Sequence, residues 1–282
     1  TRPTTQPIRL QLTLMTSLCG VGICVMAIWL AHGLVKPSRF KLSTTPGRPN
    51  SLTPLHIVGL YLAAILGVSL IVQTIGACTT LKPIHKTILT GITSPLLMLA
   101  GGLTIAKVSF DNGAIRGMGF TSRRWTNDSI RSVIAFLAIL PVCMILLAVT
   151  AELIQQWDPK AVTSHPLLKI WTATDTTTFH RAMIVLAAVV LAPLGEEVLF
   201  RGLLQSMFRR YLGRPWAAIV LTSMLFAIMH IGADPKSLPP LFALSMAIGY
   251  SYERTGRLCS PIMIHLIFNM VGLIVAINHS AG

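Results

Sequence analysis

Charged residues are scarce in this sequence. Only 11% of the 282 residues are charged, whereas 53% are hydrophobic, and a soluble globular domain carries about 25% charged residues. So few charges cannot cover a water-facing surface of this size. The composition therefore excludes a soluble enzyme and a disordered chain, and it predicts an all-α, polytopic membrane helical bundle.

Cysteine pairs and acidic residues are also scarce. The five cysteines form no Cys-x-x-Cys pair and lie in or beside apolar runs, which is typical of small hydrophobic residues rather than of disulfides or metal ligands. Asp and Glu number 9 against 23 Lys and Arg, for a formal net charge of +14. Because the basic residues lie in short stretches between apolar runs, we expect them in cytoplasmic loops, and we do not expect nucleic acid as a partner.

Eight apolar runs are candidate membrane spans, since a spanning helix needs about 20 mainly apolar residues. The fifth contains Pro193 and Gly195, which predict an interruption, and it ends in an amphipathic stretch, Leu199 to Arg210, whose bases we expect at the lipid headgroups. The sixth and seventh runs are short. The eight runs cover residues of about 10–34, 55–79, 87–106, 132–152, 182–210, 216–231, 239–253 and 258–278.

Basic residues concentrate in the first, third, fifth and seventh loops of this eight-span topology. By the positive-inside rule these loops are expected in the cytoplasm and both termini outside. The loop composition resembles that of prokaryotic proteins, so the expected location is the plasma membrane of a prokaryote. The basic residues in these loops are Lys36, Arg39, Lys41, Arg48, Lys107, Arg116, Arg123, Arg124, Arg131, Arg209, Arg210, Arg214, Arg254 and Arg257.

The fifth span carries two adjacent glutamates within an apolar run. Ionisable groups at membrane depth cost several kcal/mol and persist mostly where they are paired or functional. On a helix, Glu197 and Arg201 are four residues apart and share a face, so we expect them to pair. Glu196 points about 100° away and is left free to act as a general base. The alternative is that both glutamates and Arg201 form one structural ion cluster.

The sixth span ends with a histidine, His230, four residues after Phe226. Spans five and six form a hairpin that turns near Gly213 and Pro215. Glu196 and His230 each lie roughly 20 Å from this turn at 1.5 Å per residue, so we expect the two side chains to meet. The alternative is a hydrogen-bonded packing histidine.

The last span carries His265 and Asn269, which share one helix face because they are four residues apart. Both lie roughly 10–16 Å into the membrane from the seventh loop. Their side chains could donate hydrogen bonds to a developing oxyanion. The alternative is that they are polar residues that hold helices together.

A carboxylate, two histidines and an amide that meet in the bilayer could hydrolyse an amide bond. In this hypothesis Glu196 deprotonates water, His230 orients it, and His265 and Asn269 stabilise the oxyanion. No cofactor is needed. The alternative is zinc bound by Glu196, His230 and His265, although the sequence has no His-Glu-x-x-His motif.

Three motifs resemble those of the CPBP family, which comprises CAAX prenyl proteases and bacteriocin-processing enzymes and is also called the Abi family. They are Glu196-Glu197-x-x-x-Arg201, Phe226-x-x-x-His230 and His265-x-x-x-Asn269. The resemblance covers residues of about 183–272. It implies an eight-helix intramembrane endopeptidase whose cavity opens toward the cytoplasm, with a catalytic core at residues 132–282 and N-terminal helices at residues 1–131.

The resemblance also assigns roles to these residues. It implies that Glu196 is the general base with His230 as its partner, and that His265 and Asn269 form the oxyanion site. Residues Glu197, Arg201 and Phe226 would support the site.

The expected function is therefore cleavage of a membrane-associated peptide. A prenylated CAAX-type tail, a bacteriocin-type leader or another membrane peptide could be the substrate, and membrane lipid is the other expected partner. Two alternatives stay open at this point. One is a non-catalytic bacteriocin immunity or scaffold protein, and the other is a proton- or ion-coupled transporter, although no internal repeat is evident.

Overall fold

The computed structural model describes residues 6–36, 38, 41–42, 49–80, 82–120, 125–157, 171, 176–232 and 235–280. The elements formed by these residues are helices, joined at one place by an isolated bridge between Asn50 and Phe110. This confirms the predicted all-α bundle. The helices are α1 (Gln6–Val35), α2 (Pro54–Cys78), α3 (Pro83–Ser109), α4 (Gly113–Met118), α5 (Trp125–Trp157), α6 (Thr178–Leu212), α7 (Pro215–Met229), α8 (Leu238–Thr255) and α9 (Cys259–Ser280).

Each of the eight predicted spans forms a helix. Among the described residues, six helices are long and apolar enough to cross a membrane, namely α1, α2, α3, α5, α6 and α9. The two predicted short spans are α7, of 15 residues, and α8, of 18 residues. The chain is therefore an integral membrane protein. The predicted division between residues 131 and 132 falls within α5 and stays a prediction.

Helix α6 occupies the centre of the bundle. Half of its most apolar window is buried within the protein, against 6–22% for the other five long apolar helices. One apolar cluster packs α6 against α2, α3, α7 and α8. A second cluster joins α5, α8 and α9. The peripheral helices thus face lipid, whereas α6 faces protein on most sides.

The central position of α6 corrects the expectation for its C-terminal end. The stretch from Leu199 to Arg210 is mostly buried and does not form an amphipathic surface, whereas the headgroup position of its bases stays a prediction. Its side chains are buried except for the half-buried Phe208 and the exposed Arg210. Arg209 is 3% exposed and pairs with Glu253 of α8 at 3.4 Å. The apolar side chains pack mainly against neighbouring helices, so the surface of the stretch is confined to its last turn.

The sequence predicted an interruption of α6 at Pro193 and Gly195. The structure shows that this prediction is wrong, because the helix continues through both residues. Its backbone widens into π-helical turns on either side of the segment Ala192–Glu197, at Leu186–Leu191 and Val198–Gln205. Such turns often occur at functional sites. A Cβ atom on Gly195 would lie 2.7 Å from the carbonyl oxygen of Pro95 in α3. The glycine therefore allows α3 and α6 to approach closely beside Glu196.

The basic residues of the odd loops gather at one end of the bundle, called here the basic face. Contacts tie this end together: Arg210 donates to the Leu52 carbonyl, and Arg257 donates to Asp128. The hydrogen bonds between Arg257 and Asp128 raise the pKa of Arg257. Arg39, Arg48, Arg123 and Arg124 lie outside the described residues. The described members of the basic face are Lys36, Lys41, Lys107, Arg116, Arg131, Arg209, Arg210, Arg214, Arg254 and Arg257.

Candidate active site

The structure brings Glu196 together with two histidines. Glu196 lies on α6, His230 follows the last residue of α7, and His265 lies in the second turn of α9. The Oε2 atom of Glu196 is 3.9 Å from His230 Nε2 and 3.8 Å from His265 Nε2. The expected proximity of the Glu196 and His230 side chains is therefore confirmed, whereas their catalytic roles stay a prediction. These distances exceed the length of a direct hydrogen bond. A water molecule can contact the carboxylate and an imidazole at the same time across such a gap.

Glu197 lies at the centre of a buried ion network. Its Oε1 atom accepts hydrogen bonds from Arg201 Nη1 at 2.8 Å and from His265 Nδ1 at 2.7 Å. The side chains of Glu197 and Arg201 are fully buried. This confirms the predicted pair and adds His265 to it. The two adjacent glutamates therefore differ: Glu197 is enclosed, whereas the side chain of Glu196 remains 25% exposed.

The sequence did not predict Ser245, which joins this network from α8. Arg201 Nη2 donates to the Ser245 hydroxyl at 2.7 Å and to its carbonyl at 3.2 Å. Ser245, Gly249 and Glu253 recur every four residues and so share one face of α8. This spacing is the signal that could have indicated a polar face opposite α6.

Hydrogen bonds fix the orientation of both imidazole rings. His265 Nδ1 faces the carboxylate of Glu197, and His230 Nδ1 lies 2.7 Å from the carbonyl oxygen of Phe226. Because both partners are acceptors, each Nδ1 carries the hydrogen. Each Nε2 atom therefore faces Glu196. It can accept a hydrogen bond when its ring is neutral and donate one when the ring is protonated.

Phe226 connects the histidines to the ion network. Its ring centroid lies 4.6 Å from that of His230 and 5.7 Å from that of His265. The guanidinium of Arg201 lies over the same ring at 5.1 Å, which is within the range of a cation–π contact. Phe226 is fully buried. The spacing Phe226-x-x-x-His230 therefore packs one aromatic ring against both imidazoles and the guanidinium.

Asn269 lies one turn beyond His265 on α9 and also faces α6. Its side-chain nitrogen donates to the carbonyl of Ala188 at 2.9 Å. The structure thus joins Asn269 to α6 through the backbone of the first π-helical stretch and not through Glu196. Its oxyanion role stays a prediction.

The polar contacts between α6 and α8 continue toward the basic face. Gln205 donates to the Gly249 carbonyl and to Glu253 Oε1, both at 3.1 Å. Arg209 pairs with the other oxygen of Glu253. Together with Glu197 and Arg201, these α6 residues recur every four positions. This row of polar contacts fixes the lateral position of α6 against α8 over three helical turns.

The choice between catalysis without a cofactor and catalysis by bound zinc stays a prediction. Glu196, His230 and His265 are the residues that would bind the metal. Within the part of the chain that the structure describes, no group of three or more His, Cys, Asp or Glu side chains could hold a metal ion.

Comparison with known proteins agrees with the motifs. Residues 178–271 match the family model described as "Type II CAAX prenyl endopeptidase Rce1-like". This match confirms the resemblance to the CPBP family that the three motifs indicated. It includes Glu196, His230 and His265, and it begins with α6.

One curated relative is an "Uncharacterized 24.3 kDa protein" of Escherichia coli, which is 34% identical over 92 residues. The aligned region is 32% of this chain, and the chain spans 42% of the length of that relative. No solved structure matches the chain. The family match therefore concerns the part of the protein that holds the candidate site.

Proposed function

We propose that this protein is an intramembrane endopeptidase that hydrolyses a peptide bond of a membrane-associated substrate. The observation that supports this most directly is the position of Glu196 Oε2 between the Nε2 atoms of His230 and His265. The match of residues 178–271 to a family of CAAX endopeptidases supports the same reaction class. A scaffold protein would have no use for a partly exposed carboxylate in this position.

In the proposed reaction, Glu196 activates a water molecule. The water lies between the carboxylate and His230. The neutral Nε2 atom of His230 accepts a hydrogen bond from the water, while Glu196 removes the other hydrogen as a proton. The water oxygen then attacks the scissile carbonyl carbon. When the carbon–nitrogen bond breaks, Glu196 returns the proton to the leaving amine, so that carboxyl and amine products form.

The oxyanion that forms during the attack requires a hydrogen-bond donor. His265 supplies this donor when its ring is protonated, because Nδ1 is already bound to Glu197 and Nε2 points toward the reaction site. Glu197, which Arg201 holds in place, orients the ring so that Nε2 points toward the reaction site. Asn269 is proposed as the second donor on the basis of the motif.

The substrate is proposed to be a CAAX-type prenylated tail, a bacteriocin-type leader or another membrane peptide, in the plasma membrane of a prokaryote. The bundle presents lipid-facing helices around the site, so a substrate would approach through the membrane or its surface. Lipid and the peptide are the proposed partners.

Comparative peptidomics tests the proposal while the substrate is still unidentified. Cells that carry the wild-type protein or the Glu196→Gln variant are compared for new peptide termini in the membrane fraction. The Glu152→Gln variant, at an exposed position on α5, is the matched control. We expect termini that depend on Glu196 but not on Glu152. Identical termini in all three strains would contradict the proposal.

A chelator arm separates this mechanism from zinc hydrolysis. Purified protein is dialysed against a strong chelator and then assayed on the peptide that the cells identify. We expect the activity to remain. Loss of the activity and its recovery with zinc alone would contradict the metal-free reaction.

A further inference from the structure

A groove lies at the basic face where α4 packs against the end of α3. Its volume is about 640 Å³. One wall is a face of α3, from which Leu103, Thr104 and Lys107 line the groove, and the other wall includes Ile115 and Arg116 of α4. Small-ligand sites in proteins typically have volumes of about 300–1,000 Å³. The groove is therefore large enough for a ligand of this class.

Packing on the inner side of α4 fixes the position of the groove. Gly117 and Met118 are buried. A Cβ atom on Gly202 of α6 would lie 2.6 Å from the sulfur atom of Met118, so α4 packs closely on α6. The preceding residues of α4 are turned outward: Ile115 is 64% exposed, and Arg116 is also exposed. The groove thus belongs to the packed bundle, and its lining side chains face away from it.

The length of α3 places the groove at the level of the lipid headgroups. The 27 residues of α3 span about 40 Å at 1.5 Å per residue, whereas the hydrocarbon core is about 30 Å thick. Helix α3 ends at Ser109, so Lys107 lies in its last turn and reaches the headgroup region. Leu103 lies about 6 Å deeper. The groove therefore crosses the boundary between headgroups and acyl chains.

Two cationic side chains line the groove without a partner in the protein. Lys107 and Arg116 are exposed, and within the described ranges neither forms an ion pair or a hydrogen bond. Arg257 of the same basic face is, by contrast, paired with Asp128. Asp111 is exposed but does not line the groove. The groove therefore presents two positive charges that the described part of the chain does not neutralise.

A ligand that matches the groove has an anionic group and an apolar tail. Lys107 and Arg116 supply the charges for the anion, while Leu103 and Ile115 supply apolar surface. A soluble phosphate would use only the two charges and leave the apolar surface uncovered. A phospholipid covers both, and basic pockets between membrane helices bind anionic lipid headgroups.

We propose that this groove binds an anionic phospholipid. Lys107 and Arg116 contact the phosphate, and Leu103 and Ile115 contact the beginning of an acyl chain. The inference goes beyond the proposed peptidase function and does not depend on it. Because α4 packs on Gly202 of α6, the bound lipid would also stabilise the contact of α4 with α6.

Native mass spectrometry of the purified protein during a titration with phosphatidylglycerol tests the site. The Lys107→Gln/Arg116→Gln variant removes both cations of the groove. The control, Arg131→Gln/Arg214→Gln, removes two exposed bases of the basic face outside the groove. We expect the first phosphatidylglycerol to bind about 30-fold more weakly to the groove variant and as tightly to the control as to the wild type. Equal weakening in both variants, or none in the groove variant, would overturn the site.

Two further ligands separate a lipid from a soluble anion. Phosphatidylcholine with the same acyl chains has no net charge, and inorganic phosphate has no chains. We expect phosphatidylcholine to bind more weakly than phosphatidylglycerol and equally to the wild type and the groove variant. We expect a large excess of inorganic phosphate to leave the bound phosphatidylglycerol in place. Its displacement by phosphate would assign the groove to a soluble anion and overturn the lipid.

Thermal unfolding in nanodiscs links binding to stability. In phosphatidylcholine we expect the same melting temperature for the wild type and both variants, since the substituted side chains are exposed. In phosphatidylglycerol the wild type and the control should melt at a higher temperature, because a ligand of the folded state stabilises it. An equal increase in the groove variant would overturn the proposal. Neither readout involves peptide cleavage, so failure of the peptidase function would leave this result unaffected.

Discussion

At the scale of single residues, the pair Glu196 and Glu197 shows what spacing can and cannot predict. The four-residue interval between Glu197 and Arg201 predicted their pairing, and it left Glu196 free. Spacing along one helix could not supply Ser245, because it comes from another helix 44 positions away. Nor could it predict that Glu197 also orients His265, since that contact joins residues 68 positions apart.

The two glutamates should respond differently to the same substitution. Glu197→Gln removes the countercharge of the buried Arg201, and loss of one partner of a buried ion pair typically costs about 3–5 kcal/mol. Glu196→Gln removes a partly exposed carboxylate and should change stability by about 0.5 kcal/mol or less. Thermal unfolding in lipid nanodiscs measures both. Equal loss of stability in the two variants would contradict the different roles of the glutamates.

Ser245 should contribute to the position of Arg201. Ser245→Ala removes an acceptor from a buried guanidinium, and a hydrogen bond to a charged group contributes about 1.5–3 kcal/mol. Ser251→Ala is the control on the same helix, because Ser251 shares a hydrogen bond with the hydroxyl of Ser260. We expect the larger drop in melting temperature for Ser245→Ala and partial recovery with Ser245→Thr. A larger drop for Ser251→Ala would be evidence against this assignment.

At the scale of helices, the sequence located all eight apolar helices but not their local geometry. Long apolar runs indicate spanning helices because lipid offers no hydrogen-bond partner to the backbone. The π-helical turns of α6 left no such pattern, since they depend on how α6 packs between α3, α7 and α8. Pro193 and Gly195 predicted a break, whereas the glycine instead accommodates the carbonyl of Pro95.

Gly195 should be required for the approach of α3 to α6. Gly195→Ala would place a Cβ atom 2.7 Å from a backbone oxygen, which cannot move as a flexible side chain can. Gly91→Ala is the matched control on α3, because its Cβ atom would lie 3.7 Å from that of Ala187, an ordinary contact. We expect Gly195→Ala to lower both the melting temperature and any Glu196-dependent activity. Unchanged behaviour of Gly195→Ala would show that the two helices can separate without consequence.

At the scale of the whole molecule, the site depends on helices that carry none of the three motifs. Leu52, Leu60, Ala106 and Phe110 belong to the same apolar cluster as α6. The motifs located the chemistry within residues 178–271. They could not indicate that α2 and α3 support it, because apolar residues in spanning helices look alike whether they face lipid or protein. The predicted boundary at residue 131 therefore separates α2 and α3 from α6, although these helices pack in one apolar cluster.

A chain shortened to residues 125–282 should fail to form the site. It lacks α1 to α4, and without α2, α3 and α4 the apolar surface of α6 around Val198 and Leu203 would lose its partners. We expect aggregation on size-exclusion chromatography in detergent, whereas the full chain elutes as one species. A monodisperse, folded fragment would instead indicate that the two parts are independent.

The measurement that tests the central claim most directly is cleavage of a membrane-peptide library by the purified protein in lipid nanodiscs. Mass spectrometry reads the new carboxyl termini for the wild-type, Glu196→Gln and Glu152→Gln proteins. The account predicts specific cleavage by the wild-type and Glu152→Gln proteins and none by a folded Glu196→Gln protein. Cleavage by Glu196→Gln at the wild-type rate, or no cleavage by any folded protein, would contradict it.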